Sequence, residues 1–567
     1  MKRLIPIFAA FFITACEGEK SLEKSSLSTP DDLILHSEEF KKEIIEVTDG
    51  VHMAVGFALA NSMMIEGEGA NIIIDTTGSV ETAREVKNLF DEINSNPVAA
   101  IIFTHNHGDH IYGASVFAEG SNPDIYAHST TQKYISRVIG MLRPIIGARS
   151  SRMFGNVLPK EEVENNGIGP FLEIGRDGRT TGLINPTVVF DDKLSVEIAG
   201  IKIELYHAPG ETNDQLLVWL PEKKTLFPGD NFYKTFPNLY TIRGTPYRDL
   251  AGWVDSLDLM RLLGPEYLVP SHTRPLFGKT RINDELTLYR DGIQFVHDQT
   301  IRLMNKGFTP DKIAEQMILP KKLANSPFLK EFYGTPEWSA KNVFTGYLGW
   351  FDGNPSSLKP LKKSTEASNI INLSGSWDNL FNKADEALKN KEFQWALQLT
   401  DYLLEIKPNN KRAVLLRQNA LEGLGELQSN PNARYYYLSS AKELDPDYEP
   451  NDILKPTLEV INKYPIEAML DNLKVSVIPE KALGKEITLL FRFTDTKKVF
   501  SLQLRNAILE IQPYEVLNAD VEVITTEAIL KSVFAGLKSL PVALATGSIS
   551  TEGETLKLIA FFGTMRE

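Results

Sequence analysis

The chain is poor in cysteine, in histidine, in basic charge and in long apolar runs. Of its 567 residues one is cysteine, Cys16. No disulfide can close within the chain, and a cysteine-based zinc site is excluded, so any bound metal must be held by histidine and carboxylate. Lysine and arginine number 60 against 74 aspartates and glutamates, a net charge of −14. That lacks the basic footprint a phosphate backbone requires, which argues against a nucleic-acid partner. An anionic ligand would have to meet a local cluster of arginine, lysine or metal. No apolar run reaches the length of a membrane span. What remains is ordinary: 42% hydrophobic and 24% charged residues, enough for several cores, and at roughly 150 residues per domain about three or four domains.

The first residues, MKRLIPIFAAFFITAC, carry two basic side chains and then the apolar run Leu4–Ile13. The run is too short to cross a bilayer and reads as the apolar part of a signal peptide. Its ending, Ile13-Thr14-Ala15-Cys16, resembles a bacterial lipobox, which implies cleavage and lipidation at Cys16. The polar residues that follow read as a flexible tether. The expectation is a protein held at the cell envelope by a lipid anchor only, on the periplasmic or outer-membrane face. An ordinary signal peptide, giving a secreted or periplasmic protein, is the alternative.

Residues from about 40 to 128 alternate between strand and helix patterns. VHMAVGFALANSMMIEGEGANIIIDTTGS reads as two or three strands ending in a turn at Asp75–Gly78. In VETAREVKNLFDEIN, Val80, Ala83, Val86, Leu89, Phe90 and Ile93 fall at helical spacing. VAAIIFT is then a buried strand, and IYAH the next. The stretch 129–185 is irregular and long, as lids and substrate walls often are. Strands return in TVVF, KLSVEIAG, IKIELYHAPG, LLVWLPE and KTLFPGD, and WVDSLDLMRLL is a helix before the strand YLVPSH. Asn354–Ser374 shifts in composition and reads as a linker. Helical hairpins of tetratricopeptide style follow. In the last hundred or so residues a β-hairpin is expected around Thr494–Lys498, a helix at TTEAILKSVFAGL, and a closing strand at LKLIAFFGTM.

Three of the nine histidines lie in FTHNHGDHIYGA, directly after VAAIIFT. In an extended segment residues i and i+2 face the same side, so the imidazoles of His105 and His107 can converge on one ion. Gly108 lets the chain turn and send Asp109 and His110 to a second, nearby ion. Imidazole nitrogen and carboxylate oxygen suit zinc or a related first-row metal. Further ligands are needed, and three strand-end loops offer them: Glu211 in PGETND, Asp230 in FPGDN and His272 in VPSHTRP. Asp214 and His207 flank the first of these loops as supporting groups. His36, His52, His128 and His297 have no partner pattern.

HxHxDH, an acid or histidine after a Pro-Gly turn, then Gly-Asp, then a strand-end histidine, resembles the metallo-β-lactamase pattern. Most of that fold places histidine where Glu211 stands here, and this substitution is similar to the fold's alkyl sulfatases, the linear primary-alkylsulfatase or dodecyl sulfate hydrolase family. NLYTIRG, YRDGIQFVHDQTIRLMNKGFTPDKIAEQM and GYLGWFDGNP resemble that family too. The resemblance implies an α+β multidomain chain. Its parts would be a signal peptide over 1–16, a tether over 17–40, a metallo-β-lactamase αββα sandwich over 41–355 and a linker over 356–375. An all-α, tetratricopeptide-like dimerisation domain over 376–450 and an α+β sterol-carrier-protein-like domain over 451–567 would follow. It implies two Zn2+ per chain: one held by His105, His107 and Glu211, one by Asp109, His110 and His272, bridged by Asp230. The family's bridging residue is usually Glu. It further implies a catalytic metal-bound water held by Asp109 and Asp230, a sulfate clamp of Asn238, Arg243 and Arg248, and a homodimer.

The expected reaction is hydrolysis of a primary alkyl sulfate, such as dodecyl sulfate, to alcohol and inorganic sulfate. A sulfate ester needs a forked cationic clamp and an apolar slot for its tail. Met141, Ile145, Ile146, Met153 and Phe154 are candidates for that wall, and Leu530, Val533, Phe534, Leu537, Phe561 and Phe562 for an apolar tunnel in the last domain. Two other readings stand beside this one. The first is another hydrolase of the same fold, acting on a lactone, thioester, phosphodiester or β-lactam. The second is a non-catalytic surface lipid binder.

Overall fold

A computed structural model of the chain describes residues 29–176, 178–449, 461 and 464–565. The expected signal peptide and the lipidated Cys16 lie outside the described residues. Seven strands form one sheet in chain order: β1 (Glu43–Thr48), β2 (Val51–Val55), β3 (Ser62–Glu66), β4 (Asn71–Ile74), β5 (Val98–Ile102), β6 (Asp124–His128) and β7 (Val188–Phe190). The first four pair antiparallel and β4 to β7 pair parallel. A second sheet holds β8 (Lys193–Ile198), β9 (Ile201–His207), β10 (Leu216–Leu220), β11 (Thr225–Phe227), β12 (Tyr267–Leu268) and β13 (Leu276–Phe277). It is antiparallel except for the β11–β12 pair.

The two-residue period of a strand builds the layers. Met63, Ile65, Ile72, Ile74, Ala100 and Ile102 point to the core between the sheets, where they meet Leu205, Leu216, Val218 and Phe227. Their neighbours Met64, Ile73 and Ile101 point the other way, onto Ala83, Val86 and Phe90 of the helix Val80–Ile93. On the second sheet Leu217, Trp219, Leu226 and Leu268 face outward, into a core built with the helices Leu250–Leu263, Lys279–Met304 and Pro336–Leu348. Each such side chain removed from water contributes about 1.5–3 kcal/mol. The result is helix, sheet, sheet, helix, with both faces of both sheets covered. The strands run so that the carboxyl ends of β4, β5, β9, β11 and β12 share one edge of the sandwich.

Three expectations need correction. Within the expected tether over 17–40, residues from Asp31 are folded. Leu33 is fully buried, and His36 stacks on Phe332 at 4.1 Å and bonds the Gly167 carbonyl at 2.7 Å. The polar composition concealed a spacing of i, i+3 and i+7 at Leu33, His36 and Phe40. Within the expected linker over 356–375, Lys363–Leu373 is a helix. It buries Ala367 and packs Ile370 and Ile371 on the helical core, again at helical spacing. LKLIAFFGTM is not a strand: Thr555–Gly563 is a helix with Leu558 and Phe561 buried and Leu556 and Ile559 exposed. A short apolar run reads equally as strand or helix by hydrophobicity alone.

Antiparallel helices at Trp377–Lys389, Phe393–Ile406, Lys411–Glu426 and Pro431–Lys442 form the helical domain. Its last helix lies on the helix Arg143–Met153, with Arg152 paired to Glu443 at 2.9 Å. The C-terminal domain is a five-stranded sheet backed by helices, with the hairpin turning between Phe493 and Val499. Leu530, Val533 and Phe561 are packed in its core, whereas Leu537 is exposed.

Candidate metal centre

Two groups of ligand-type atoms, each within 4.8 Å, gather at the shared strand edge: His105, His107 and Asp230, and Asp109, His110 and His272. His105 and His107 leave β5 in extended chain, and their rings meet, Nε2 to Nδ1, at 2.9 Å. Asp109 and His110 lie on the short helical turn Gly108–Ile111 that follows. Asp230 joins the groups: Oδ2 is 3.2 Å from His272 Nε2 and 3.5 Å from His105 Nε2, and Oδ1 is 3.4 Å from His110 Nε2.

Other residues fix which ring nitrogen faces the centre. His110 Nδ1 is held by Asp75 at 2.7 Å, His272 Nδ1 by the Leu59 carbonyl at 2.7 Å, and His105 Nδ1 by the Thr104 hydroxyl at 3.0 Å. Such outer partners set tautomer and ring orientation in metal sites. Asp75 also accepts from the Thr104 amide and hydroxyl, both at 2.9 Å, and from the Ser271 hydroxyl at 2.8 Å. It thus ties the loops after β4, β5 and β12 together. Asp75 sits at φ 54°, a left-handed conformation that Asp and Asn tolerate better than most residues. Its role was not expected; the available signal was an acid directly after the buried run Ile72–Ile74.

The electrostatics suit cations. Burial, helped by the neighbouring His110, lowers the His105 pKa to about 4, and burial with His105 and Arg243 lowers His107. Both are therefore neutral and able to ligate near pH 7. Burial also disfavours charge on His110, but Asp230, Asp109 and Asp75 outweigh it and raise its pKa. Among the described residues, buried His110 Nε2 and Asp230 Oδ1 have no hydrogen-bond partner. Four imidazoles and two carboxylates gathered at one place, two of their buried atoms unbonded, fit zinc.

Glu211 does not stand in either group. Its Oε1 pairs with Arg248 at 2.7 Å, both side chains being buried. Burial pushes the Glu211 carboxyl up to about 7 despite that partner. Arg248 also donates to the Asn238 carbonyl, while the buried Asn238 side-chain amide has no hydrogen-bond partner among the described residues. Of the expected clamp, Arg243 lies closest to the histidines, with Nη2 3.1 Å from His107 Nε2. Two cavities meet here. One of about 240 Å³ runs along Leu59, Ile146, Phe154 and Leu172 to Asp109, Asp230 and Arg243. The other, about 220 Å³, is bordered by Glu211, Arg243 and Arg248. Of the expected apolar wall, Ile146 and Phe154 line the larger cavity, Met153 is packed behind it, and Met141 and Ile145 face solvent. The helical domain braces this wall: the Asn430 and Asn432 side chains donate to the carbonyl of Tyr333, which borders the same cavity.

Residues 55–272 match the sequence model of the metallo-β-lactamase superfamily, 309–447 that of alkyl sulfatase dimerisation, and 455–567 that of the alkyl sulfatase C-terminal region. A linear primary-alkylsulfatase from a Pseudomonas strain is 32% identical over 88% of this chain and 97% of its own. The chain belongs to the alkylsulfatase family of the metallo-β-lactamase fold. A second alkylsulfatase, an (R)-specific secondary-alkylsulfatase from Pseudomonas sp., is 28% identical over 92% of this chain and 80% of its own. The solved structure of the stereoselective inverting sec-alkylsulfatase Pisa1 from Pseudomonas sp. superposes with a TM-score of 0.86. It shares 26% identity and covers 93% of this chain and 85% of that one. A double mutant of the same sec-alkylsulfatase gives a TM-score of 0.89 at 26% identity, covering 96% of this alkylsulfatase and 88% of that chain.

Proposed function

We propose that this alkylsulfatase hydrolyses primary alkyl sulfates of the dodecyl sulfate kind, with two zinc ions at the strand edge. The carrying observation is the convergence of His105, His107, Asp109, His110, Asp230 and His272 beside a cavity that is apolar along one wall and cationic at Arg243. Bound zinc supplies Lewis acidity, which activates water near neutral pH and draws in the sulfate charge.

The chain's own residues do the rest. Asp75, Leu59 and Thr104 hold three imidazoles by Nδ1, so that Nε2 faces the centre. Asp109 and Asp230 are buried acceptors placed to orient water and take its hydrogen bonds. Arg243 meets the sulfate oxygens beside His107, with Arg248 behind it on the Glu211 side. Leu59, Ile146, Phe154 and Leu172 take the alkyl tail and exclude water from it. Asp230 stands where the family usually has glutamate, and its carboxylate reaches His272, His105 and His110 at 3.2–3.5 Å. The relatives named for linear primary substrates support the substrate class.

The test is a substrate panel offered to the zinc-loaded protein: primary and secondary alkyl sulfates, a phosphodiester, a lactone, a thioester and a β-lactam. The proposal expects the highest kcat/KM for a primary alkyl sulfate. A phosphodiester or lactone at the top would overturn it. We propose in addition a homodimer formed through the helical domain, and a lipid on Cys16 that holds the protein at the cell envelope. Sedimentation at two concentrations checks the first. Incorporation of labelled palmitate, lost in Cys16→Ser, checks the second.

A further inference from the structure

The larger cavity holds a cation that the reaction above does not use. Arg143 opens the helix Arg143–Met153 and borders that cavity. Its side chain is partly buried. Among the described residues it makes no hydrogen bond and no ion pair, and the only titratable groups acting on it are the hydroxyls of Tyr112 and Tyr464. Burial without a counter-charge lowers its pKa. Most arginines of the larger helices and loops nearby do have partners: Arg149 donates to the Ile242 carbonyl, Arg152 pairs with Glu443, and Arg248 pairs with Glu211. A guanidinium taken partly out of water with no acid beside it is costly, because the lost hydration is not replaced. A ligand that brings an anion would remove that cost.

Arg143 is set apart from the metal-ligand groups. No carboxylate of that cluster acts on it. Tyr112 lines the same cavity as Arg143 and Asp109 and feels the charge of both. The cavity therefore presents cationic charge in three places: at Arg243 beside His107, at Arg179, which bonds the Ser79 and Thr82 hydroxyls, lies over the Phe171 ring and acts on Glu81, and at Arg143, which has no such partners. Ile135, Val138 and Ile146 line the same space. A simple alkyl sulfate fills only one of these positions. Its methyl end, laid against Arg143, would desolvate the guanidinium further with nothing in return.

We propose that Arg143 forms a second anion subsite, and that the preferred substrates are alkyl sulfates bearing a carboxylate at the far end of the chain. The inference rests on the alkyl sulfate reading of the site. It adds a second recognition point to it: sulfate ester at Arg243, methylene chain along the apolar wall, carboxylate at Arg143. An oxyanion against the planar guanidinium forms charge-assisted hydrogen bonds, the stronger kind.

The experiment compares three substrates of equal chain length on the zinc-loaded full chain: dodecyl sulfate, its analogue with a terminal carboxylate, and the methyl ester of that analogue. The wild-type protein is expected to favour the acid over the ester by about tenfold or more in kcat/KM, the size of one charge-assisted contact. In Arg143→Met that ratio is expected to fall close to one, and in Arg143→Lys to recover in part. Equal kcat/KM for acid and ester in the wild-type protein, which needs no variant to fold, would overturn the subsite. So would a ratio unchanged in Arg143→Met. If no sulfate ester is turned over, the alkyl sulfate reading fails first. The subsite is then judged by equilibrium binding of a long-chain alkyl sulfonate with and without a terminal carboxylate. About tenfold tighter binding of the carboxylated form to wild type than to Arg143→Met upholds it, and equal affinities overturn it.

Discussion

Asp75→Asn is the substitution that most cleanly separates the support of the metal centre from the centre itself. Asparagine keeps the volume and tolerates the left-handed backbone at φ 54°. The hydrogen-bond count is what changes. Oδ1 accepts from the Thr104 amide, while Oδ2 accepts from the Thr104 hydroxyl, the Ser271 hydroxyl and His110 Nδ1. Every one of these is a donor to the carboxylate, so an amide NH2 in either position meets at least one donor head on. With the NH2 at the Oδ2 position, the two hydroxyls can rotate to accept. His110 Nδ1 can accept only by giving up its proton, which then moves to Nε2, the nitrogen facing Asp230 and Asp109. The ring would then point a donor at the metal position. Losing such an outer partner lowers metal affinity by about 10–100-fold, which is about 1.4–2.7 kcal/mol. The metal-free protein should also lose about 1–3 kcal/mol of stability from the mismatched buried group. Zinc affinity is read by competition with a chelating dye, and stability by urea unfolding of the metal-free protein. Two zinc ions bound with wild-type affinity by Asp75→Asn would refute the assignment of Asp75 as the group that sets the His110 tautomer.

Three further outcomes follow from the geometry. Arg248→Met leaves Glu211 buried without its cation and should cost about 3 kcal/mol in chemical unfolding. The double variant with Glu211→Gln should recover much of that loss; an equal or larger loss would argue against the pair. Glu173 is fully buried, accepts from the Leu59 and Gly78 amides, and has its carboxyl pushed by burial to about 7. A raised carboxylate pKa means that the folded state keeps its proton after the unfolded chain has lost it. Stability should therefore fall as pH rises from about 4.5 to about 7, by at most about 3 kcal/mol from this group. Glu173→Gln should flatten that slope in urea unfolding across the window. Gly113→Ala would place a methyl 1.9 Å from the Thr76 carbonyl oxygen and 2.5 Å from Ala83 Cβ. A loss of about 3 kcal/mol or more is expected, with a thermal shift as the measurement.

The parts of this site that were legible in the sequence are those where local geometry and residue type coincide. His105, His107, Asp109 and His110 sit in one loop, so their meeting needs no long-range contact. Asp230 and His272 come from distant loops, yet each follows a strand on the shared edge, and position at a strand end was signal enough. Glu211 shows the limit. It too follows a Pro-Gly turn, but its partner is decided by where Arg248 lies once the second sheet has formed, and no spacing rule encodes that pairing. In the sequence Asp75 reads only as part of a turn, because a lone acid in a turn usually serves the turn. Its four donors come from residues up to 196 positions away. The helices Lys363–Leu373 and Thr555–Gly563 escaped for a different reason. In the first, serine, lysine and proline nearby outweighed three well-spaced apolar residues; in the second, the apolar run was too short for its period to show. Arg143 was inside a segment recognised as a wall, but its lack of a counter-charge is a property of the folded chain.

Sulfate released from dodecyl sulfate by the zinc-loaded protein, measured together with bound zinc, tests the central claim most directly. The account predicts two zinc ions per chain and one sulfate for each alcohol formed. In His107→Ala it predicts loss of bound zinc and a fall in rate of at least about a hundredfold, the scale of a lost activating group. A protein that holds two zinc ions and releases no sulfate, or a His107→Ala variant that releases it at the wild-type rate, would contradict the account.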